Sequence, residues 1–292
     1  MMTNGWLRTA VMVGACAAPM MVQAHDVEGE AHGPAVVSFD WGAADTLAAL
    51  GLEEHLVGVP HQAAPAYVSA LVEGRADVGG LKSPDLEAIA GLAPELILIT
   101  GRQSASQEDL EALAETRDVT LAEGDYFAAL SDKVQALAAP YGAEQQASER
   151  LAALEAEIEA ARAALADDLE AVVVTHNDGG YSLRQELVIG ELLGIDQPGV
   201  PASVEPVSHG SRTFTPLAPA DIAAMAPDAL FVVDRSAAIG DTPLDLADLQ
   251  AALAEAGGET IGVTVLTPDL WYLSGDGLQS VHAQLGEVVD SL

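Results

Sequence analysis

Apolar residues along this chain alternate between short continuous runs and longer stretches in which they recur at helical spacing. The short runs predict buried strands, and the amphipathic stretches between them predict helices. The predicted strands span residues 35–39, 95–100, 119–121, 171–175, 229–233 and 261–266. The predicted helices span residues 44–50, 84–91, 107–117, 127–137, 143–167, 185–193, 219–225 and 246–255, with a last helix from residue 277. This alternation predicts an α/β fold with mainly parallel sheets.

One predicted helix is much longer than the others. Residues 143–167 contain no Gly or Pro, and apolar residues such as Leu151, Leu154 and Ile158 recur there at helical spacing. Such a helix would be roughly 37 Å long at 1.5 Å per residue. We therefore predict two Rossmann-like lobes joined by one long interlobe helix, with a ligand cleft at the carboxyl ends of the strands. The predicted segments are an N-terminal lobe at 25–139, a linking helix at 140–169 and a C-terminal lobe at 170–292.

The N-terminal segment 1–24 has the pattern of a signal peptide. Arg8 supplies a positive charge, residues 9–21 are apolar or small, and Val22 and Ala24 are the small residues that a signal peptidase requires. We predict cleavage after Ala24. The apolar run is too short for a permanent membrane anchor, so export is expected.

A second interpretation of the same segment involves Cys16, because VGAC at 13–16 resembles a lipoprotein box. Cys16 would then become the lipidated first residue. Both interpretations place the folded chain outside the cytoplasm, and we predict a periplasmic location. The sequence contains one cysteine, so an intramolecular disulfide and a multi-thiolate metal site are excluded.

The charge of the chain is strongly negative. It has 45 acidic and 11 basic residues, a formal net charge of −34, which makes nucleic acid an improbable class of partner. Most carboxylates fall on predicted helix faces, where a solvated surface is the simplest explanation. The basic residues are more informative because they are few. Several lie at strand ends or in loops, namely Arg102, Arg184, Arg212 and Arg235.

Two of these arginines follow buried strands directly. Arg102 comes after the run 95–100 and Arg235 after the run 229–233, so both should emerge at carboxyl strand ends. A guanidinium there presents a planar fork of donors that suits anionic oxygens. A structural ion pair is the alternative. Arg184 opens a predicted helix after a turn-rich loop and is a weaker candidate on its own.

The segment 269–277 concentrates aromatic side chains and turn-forming residues before the last helix. Aromatic residues make up 4% of the sequence, yet Trp271 and Tyr272 are adjacent in this predicted loop. They could contact a ligand or anchor the core, and the segment alone does not distinguish these roles.

The histidines allow a metal-binding alternative. His61, His176 and His209 could supply ligands for zinc or manganese, although nothing in their spacing requires it. The sequence contains no GxSxG elbow, Walker loop, HExxH or early GxGxxG motif, so we expect no enzyme.

Six short motifs occur in a fixed order along the chain. They are FDWGAADTL at 39–47, SPDLEAI at 83–89, TGRQS at 100–104, SHG at 208–210, FVVDR at 231–235 and PDLWYLSG at 268–275. Together they resemble the periplasmic binding proteins of iron–siderophore ABC transporters, and specifically the branch that takes catecholate siderophores. The resemblance covers residues 35–292 and implies the same two-lobed fold.

The resemblance also implies roles for the candidate residues. In that family, arginines from both lobes hold the anionic catecholate oxygens, which by motif position would be Arg102, Arg235 and Arg184. The match at Arg184 requires one inserted residue. Some members add a His and a Tyr as direct Fe(III) ligands, which would be His209 and Tyr272. A bound hard cation stabilises a phenolate, so Tyr272 could serve as an oxygen ligand at neutral pH.

Two other residues receive less specific roles. Arg212 has no fixed role in the family and could replace or supplement Arg184, whereas Trp271 would pack or form the cleft wall. The resemblance further implies a ferric siderophore as the ligand, no intrinsic cofactor, an inner-membrane ABC permease as the partner and a monomeric state. A hydroxamate siderophore, haem, cobalamin or a divalent metal ion remain alternative cargoes. An anionic ligand on so acidic a protein requires a locally positive cleft.

Overall fold

The first half of the chain builds a five-stranded parallel sheet. The computed structural model describes residues 33–210 and 212–292, with only the backbone described at His209 and Arg212. The strands of this half are β1 (Val36–Ser38), β2 (Leu56–Val59), β3 (Ala76–Asp77), β4 (Gly79–Gly80), β5 (Ser83–Pro84), β6 (Leu96–Ile99) and β7 (Glu115–Asp118). The sheet order is β3-β2-β1-β6-β7, and β4 and β5 form a separate antiparallel ribbon. Every residue of β1 and β6 is buried, which explains why apolar residues dominate their sequences.

Short helices connect these strands. The α-helices are α1 (Trp41–Ala49), α2 (Leu86–Leu92), α3 (Gln107–Glu111) and α4 (Tyr126–Ala138), and the 3₁₀ helices are Glu53–His55, His61–Ala63, Ala66–Val72, Gly101–Ser106 and Ala139–Tyr141. Aspartates begin several of them, as where the Asp40 carboxylate accepts from the Ala43 amide at 2.7 Å and starts α1 directly after β1.

The prediction of a helix over 107–117 is wrong at its C-terminal end. The helix stops at Glu111, and β7 begins at Glu115 instead of residue 119. The segment pairs with β6 at the sheet edge, so tertiary pairing overrides the helical pattern of its apolar residues. Charged, partly exposed side chains on β7 are typical of an edge strand.

The chain passes from the first sheet to the second through α4 and the long helix α5 (Glu144–Ala164). The two helices lie side by side, since the Gln135 amide donates to the Ser148 hydroxyl at 2.9 Å, and Gly142 makes the turn between them with φ of 66°. The predicted helix 143–167 therefore ends three residues early, at Ala164. The predicted segment boundaries after residues 24, 139 and 169 stay predictions.

The second half builds a four-stranded sheet in the order β13-β12-β8-β9. Its strands, with those of a separate hairpin, are β8 (Ala171–Asn177), β9 (Gly180–Leu183), β10 (Val207–His209), β11 (Arg212–Phe214), β12 (Ala229–Asp234) and β13 (Gly262–Leu266). Strands β8, β12 and β13 are parallel, β9 is antiparallel, and β10 and β11 form the hairpin. The mainly parallel α/β class predicted from the sequence is confirmed.

Helices cover this second sheet. They are α6 (Pro219–Met225), α7 (Arg235–Ala238), α8 (Leu246–Glu255), α9 (Pro268–Tyr272) and α10 (Leu278–Ser291), with a π-helix at Val188–Leu192. The π-helix occupies part of the predicted helix 185–193. In the described part of the chain, no helix combines the length and apolar content needed to cross a membrane. The predicted signal peptide and Cys16 lie outside the described residues.

A buried carboxylate joins the two halves. Asp45 of α1 has no exposed surface and accepts from the backbone amides of Gln279 and Ser280 at 3.1 and 3.0 Å, which caps α10. The Tyr67 hydroxyl donates to the same carboxylate at 2.8 Å. Burial raises the pKa of Asp45 to about 6, although these hydrogen bonds partly offset the effect.

Candidate ligand cleft

The aromatic pair predicted in a loop lies in a short helix at the carboxyl end of β13. Pro268 occupies the first turn of α9, where its missing N–H costs nothing, and α9 ends at Tyr272. The Trp271 side chain is buried with 3% exposure, and its indole N–H donates to Glu287 at 2.6 Å. Tyr272 is half-buried. The two neighbours therefore differ: Trp271 packs in the core, and Tyr272 reaches the cleft.

Three arginines converge on this pair. Arg102 donates from Nη2 to the Tyr272 carbonyl at 2.8 Å, and Arg184 donates from Nη2 to the Trp271 carbonyl at 3.2 Å. Arg235 donates from Nε to the Tyr272 hydroxyl at 2.8 Å. Arg102 comes from the first half of the chain and the other two from the second. Residues far apart in sequence thus meet at Trp271 and Tyr272.

Local structure places each guanidinium. Arg102 lies in the 3₁₀ turn after β6, where Thr100 and Gln103 form a reciprocal capping box. Arg235 begins α7, whose N-cap is Asp234. Arg184 follows β9, and its amide donates to the Val173 carbonyl at 2.9 Å, which fixes the chain before the π-helix.

Glu186 also restrains Arg184. Its carboxylate accepts from Arg184 Nε at 2.5 Å, and 13% of the Glu186 side chain is exposed. Burial raises the pKa of Glu186, while the Arg184 charge and hydrogen bond lower it and only partly compensate. Nε and one N–H of Nη2 of Arg184 are therefore engaged within the protein.

A cleft of about 760 Å³ is lined by two of these arginines, Arg184 and Arg235, and by Tyr272. Polar and apolar side chains share its wall, since Leu183, Val207 and Pro216 also line it. This volume lies within the range of small-molecule sites. The mixed lining suits a ligand that carries both negative charge and apolar rings.

The sequence did not indicate three residues that line this cleft or contact one of its arginines. Asn177 accepts a hydrogen bond from Arg235 Nη1, and Tyr181 lines the wall. Burial raises the pKa of Tyr181, with the negative charges of Asp234 and Asp248 adding to the effect. Glu186 is the third. The turn-rich NDGGY at 177–181 was the available signal for the first two, because such turns often carry site residues.

Two of the histidines considered as metal ligands have other partners. His61 Nε2 contacts the Arg75 carbonyl at 3.1 Å, and both ring nitrogens of His176 have protein partners. Among the described residues, no group of three or more His, Cys, Asp or Glu side chains is placed to hold a metal ion. The alternative of a zinc or manganese site formed by His61, His176 and His209 is therefore not supported by the positions of His61 and His176.

The hairpin β10–β11 carries two further predicted residues. Val207 and Phe214 at its base line the cleft, and the His209 and Arg212 backbones pair across its outer end. The side chains of these two residues lie outside the part of the chain that the structure describes. Their predicted roles as an iron ligand and an additional cation stay predictions.

Comparison with known proteins identifies the family. The model for periplasmic binding proteins matches residues 36–252, most of the chain. The chain belongs to the periplasmic binding protein family.

Individual members of the family resemble this binding protein along most of its length. The petrobactin-binding protein YclQ of Bacillus subtilis is 30% identical over 270 residues, which cover 88% of this chain and 82% of YclQ. The ferric-anguibactin-binding protein FatB of Vibrio anguillarum is 26% identical over 231 residues, covering 73% and 68% of the two chains.

Solved structures show the same relationship. The crystal structure of YclQ superimposes with a TM-score of 0.78 over 89% of this chain and 92% of that one, at 29% identity. The iron uptake ABC transporter substrate-binding protein PiuA from Streptococcus pneumoniae gives a TM-score of 0.76 at 31% identity, covering 89% and 93%. The two-sheet architecture of this binding protein is thus that of known substrate-binding proteins.

Proposed function

We propose that this binding protein captures a ferric catecholate-type siderophore in the cleft and delivers it to an inner-membrane ABC importer. The observation that carries the proposal is the convergence of Arg102, Arg184 and Arg235 on Trp271 and Tyr272 from both halves of the chain. The relatives YclQ and FatB, whose names specify siderophore ligands, support the same class of cargo.

The chemistry of the cargo fits this arrangement. Ferric catecholates are anions, and removing them from water requires positive charges held close by. At about 4 Å, a unit charge pair contributes roughly 4 kcal/mol at an effective dielectric near 20, before desolvation is subtracted. Catechol rings are also planar and apolar on their faces, which suits the wall formed by Leu183, Val207 and Pro216.

Iron itself is part of the cargo in this proposal. A tetradentate siderophore leaves coordination positions of Fe(III) open, and the Tyr272 hydroxyl, which accepts from Arg235 Nε, would supply an oxygen ligand for one of them. We propose His209 as a second protein ligand from the hairpin. Arg212 lies on the same hairpin and would supplement the cationic wall.

The proposed location and assembly follow the family. We propose export to the periplasm by the segment 1–24, removal of that segment after Ala24 and a monomeric mature protein. Amino-terminal sequencing of the exported protein tests the processing step. If the mature protein begins at His25, cleavage after Ala24 is supported. If it begins at a lipidated Cys16, the protein is instead anchored to the membrane by lipid.

Fluorescence quenching tests the proposed cargo. The purified protein is titrated with ferric tetradentate and hexadentate catecholates, the same catecholates without iron, and a ferric hydroxamate. We expect saturable quenching by at least one ferric catecholate below ~10 µM, about −7 kcal/mol of binding free energy. If no ferric catecholate quenches in that range, the proposal fails. If the ferric hydroxamate binds more tightly than every ferric catecholate, the cargo is a hydroxamate siderophore instead.

A further inference from the structure

We propose that His176 is a positioning residue of the cleft, which acts in its neutral form to hold Arg235 against Tyr272. The inference rests on the proposed function, because the positioned group faces the proposed ferric ligand. His176 lies on β8, is 3% exposed and does not line the cleft itself.

The hydrogen bonds of His176 define its protonation state. Its Nε2 accepts from the Gly179 backbone N–H at 3.2 Å, and a backbone N–H can only donate. Nε2 therefore carries no proton. Nδ1 lies 2.8 Å from Asp234 Oδ1, so the ring proton is on Nδ1 and is donated to the carboxylate. Both nitrogens are used, and the ring is neutral.

Asp234 extends this connection to the start of α7. Its Oδ1 also accepts from the Ala237 amide at 3.1 Å, and its Oδ2 accepts from the Leu244 amide at 2.7 Å. Burial raises the pKa of Asp234, but the hydrogen bonds from His176 and the two amides outweigh burial and lower it below its ordinary value. A charged carboxylate at the end of β12 thus fixes the segment that begins with Arg235.

The two segments held by this pair meet again at Arg235. Asn177, the residue after His176, accepts from Arg235 Nη1, and the Asp178 amide donates to the Ser236 hydroxyl at 2.9 Å. The remaining described bond of the guanidinium runs from Nε to the Tyr272 hydroxyl. Hydrogen bonds therefore connect the Gly179 turn through His176 to Asp234, and the next residue along the chain, Arg235, contacts Tyr272.

A role in stability alone would not require this arrangement. Replacing a buried ion or hydrogen-bonded pair by apolar residues of similar volume is often neutral or stabilising. Here His176 instead holds the Gly179 turn beside the cleft, and Asp234 holds backbone amides of the segment that begins with Arg235. Because both segments orient Arg235, an altered His176 should change the geometry at Tyr272. The affinity for a ligand that needs Tyr272 should therefore fall more than the affinity for a ligand that does not.

Two substitutions separate the two hydrogen bonds of the ring. In His176→Asn the side-chain amide reaches the position of Nδ1 and keeps the donor to Asp234, whereas in His176→Gln it reaches the position of Nε2 and keeps the acceptor for Gly179. His55→Asn is the matched control, because His55 is also buried but lies in the first half of the chain. Thermal unfolding confirms that each variant is folded.

Binding of two ferric catecholates is then measured by quenching and visible absorption. We expect both His176 variants to weaken the tetradentate complex about tenfold and to shift its visible band, because each variant loses one of the two buried hydrogen bonds of the ring. The hexadentate complex, whose iron needs no protein ligand, should weaken by less than about threefold. The His55 variant should match the wild type with both complexes. Unchanged binding in both His176 variants, or an equal loss for both complexes, would overturn the inference.

A readout without ligand keeps this inference separate from the proposed function. The ¹⁵N–¹H resonance of Arg235 Nε, assigned with Arg235→Lys, should shift in both His176 variants and stay fixed in His55→Asn. An Arg235 resonance that does not move in either variant refutes the positioning role. If the wild type binds neither ferric complex, the proposed function fails and this resonance still decides the inference.

Discussion

Arg235 and Tyr272 are joined by a hydrogen bond of 2.8 Å from the guanidinium Nε to the phenolic oxygen, and the guanidinium carbon lies 5.6 Å from the ring centroid. The phenolic oxygen accepts in this bond, so its own proton is not committed to Arg235. Arg102 holds the backbone of the same tyrosine from the other half of the chain. Tyr272 is therefore fixed at its hydroxyl and at its carbonyl by two different cations.

Tyr272→Phe tests the role of the phenolic oxygen. The variant keeps the ring and removes the hydroxyl, so we expect the ferric tetradentate catecholate to bind at least tenfold more weakly and to lose a contribution to its visible charge-transfer band. Tyr141→Phe is the control, because the Tyr141 hydroxyl donates to Pro34 away from the cleft. An unchanged spectrum in Tyr272→Phe contradicts direct ligation of iron.

The three arginines should contribute separately to affinity. Replacing Arg102, Arg184 or Arg235 by Gln removes a positive charge, and we expect about a tenfold to hundredfold loss of ferric catecholate affinity for each, as for a charge-assisted hydrogen bond. Titrations at two salt concentrations give the measurement. Arg117→Gln provides the control, since Arg117 pairs with Glu115 on the edge strand. Equal affinities for the cleft variants and the control would exclude the arginine cluster as the anion site.

Asp45 should make stability depend on pH with a defined sign. Its folded pKa of about 6 lies above the ordinary 3.8, so the folded state binds a proton that the unfolded state does not between these values, and stability rises as the pH falls. From pH 7 to pH 5 the wild type should gain about 1 kcal/mol relative to Asp45→Asn. Urea unfolding at both pH values measures this difference. A wild type that loses stability relative to the variant would contradict the raised pKa.

The two halves of the chain approach each other so closely at Gly42 that we expect no room for an added side chain. A Cβ atom at Gly42 would lie 2.6 Å from the backbone of Asp276, whereas one at Gly286 on α10 would meet nothing within 4 Å. We expect Gly42→Ala to destabilise the fold by about 1–3 kcal/mol and Gly286→Ala to be neutral or stabilising by up to about 1 kcal/mol. Chemical denaturation of both variants provides the comparison. Equal effects would show that the halves do not pack as described.

The sequence predicted the elements that have a strong local signal. The runs at 171–175 and 229–233 are rich in apolar residues because most of β8 and all of β12 are buried in a parallel sheet, and helices 219–225 and 246–255 were predicted with their observed bounds. Strands β2, β9 and the hairpin were missed, because short or Gly-containing segments acquire strand structure from their pairing partners.

The candidate site could be predicted only in part for a related reason. Arg102 and Arg235 could be predicted from the sequence because each comes shortly after a buried strand. Glu186 was not, because the chain has 45 acidic residues and only the tertiary structure shows which one contacts Arg184. The different surroundings of Trp271 and Tyr272 likewise arise from the packing of α9 against α10, which sequence neighbours cannot reveal.

A crystal structure of this protein with a ferric tetradentate catecholate tests the central claim most directly. We predict the complex in the cleft, with catecholate oxygens contacted by Arg102, Arg184 and Arg235 and with the Tyr272 oxygen bonded to iron. A complex bound outside the cleft, or bound without any of the three arginines, would contradict the account.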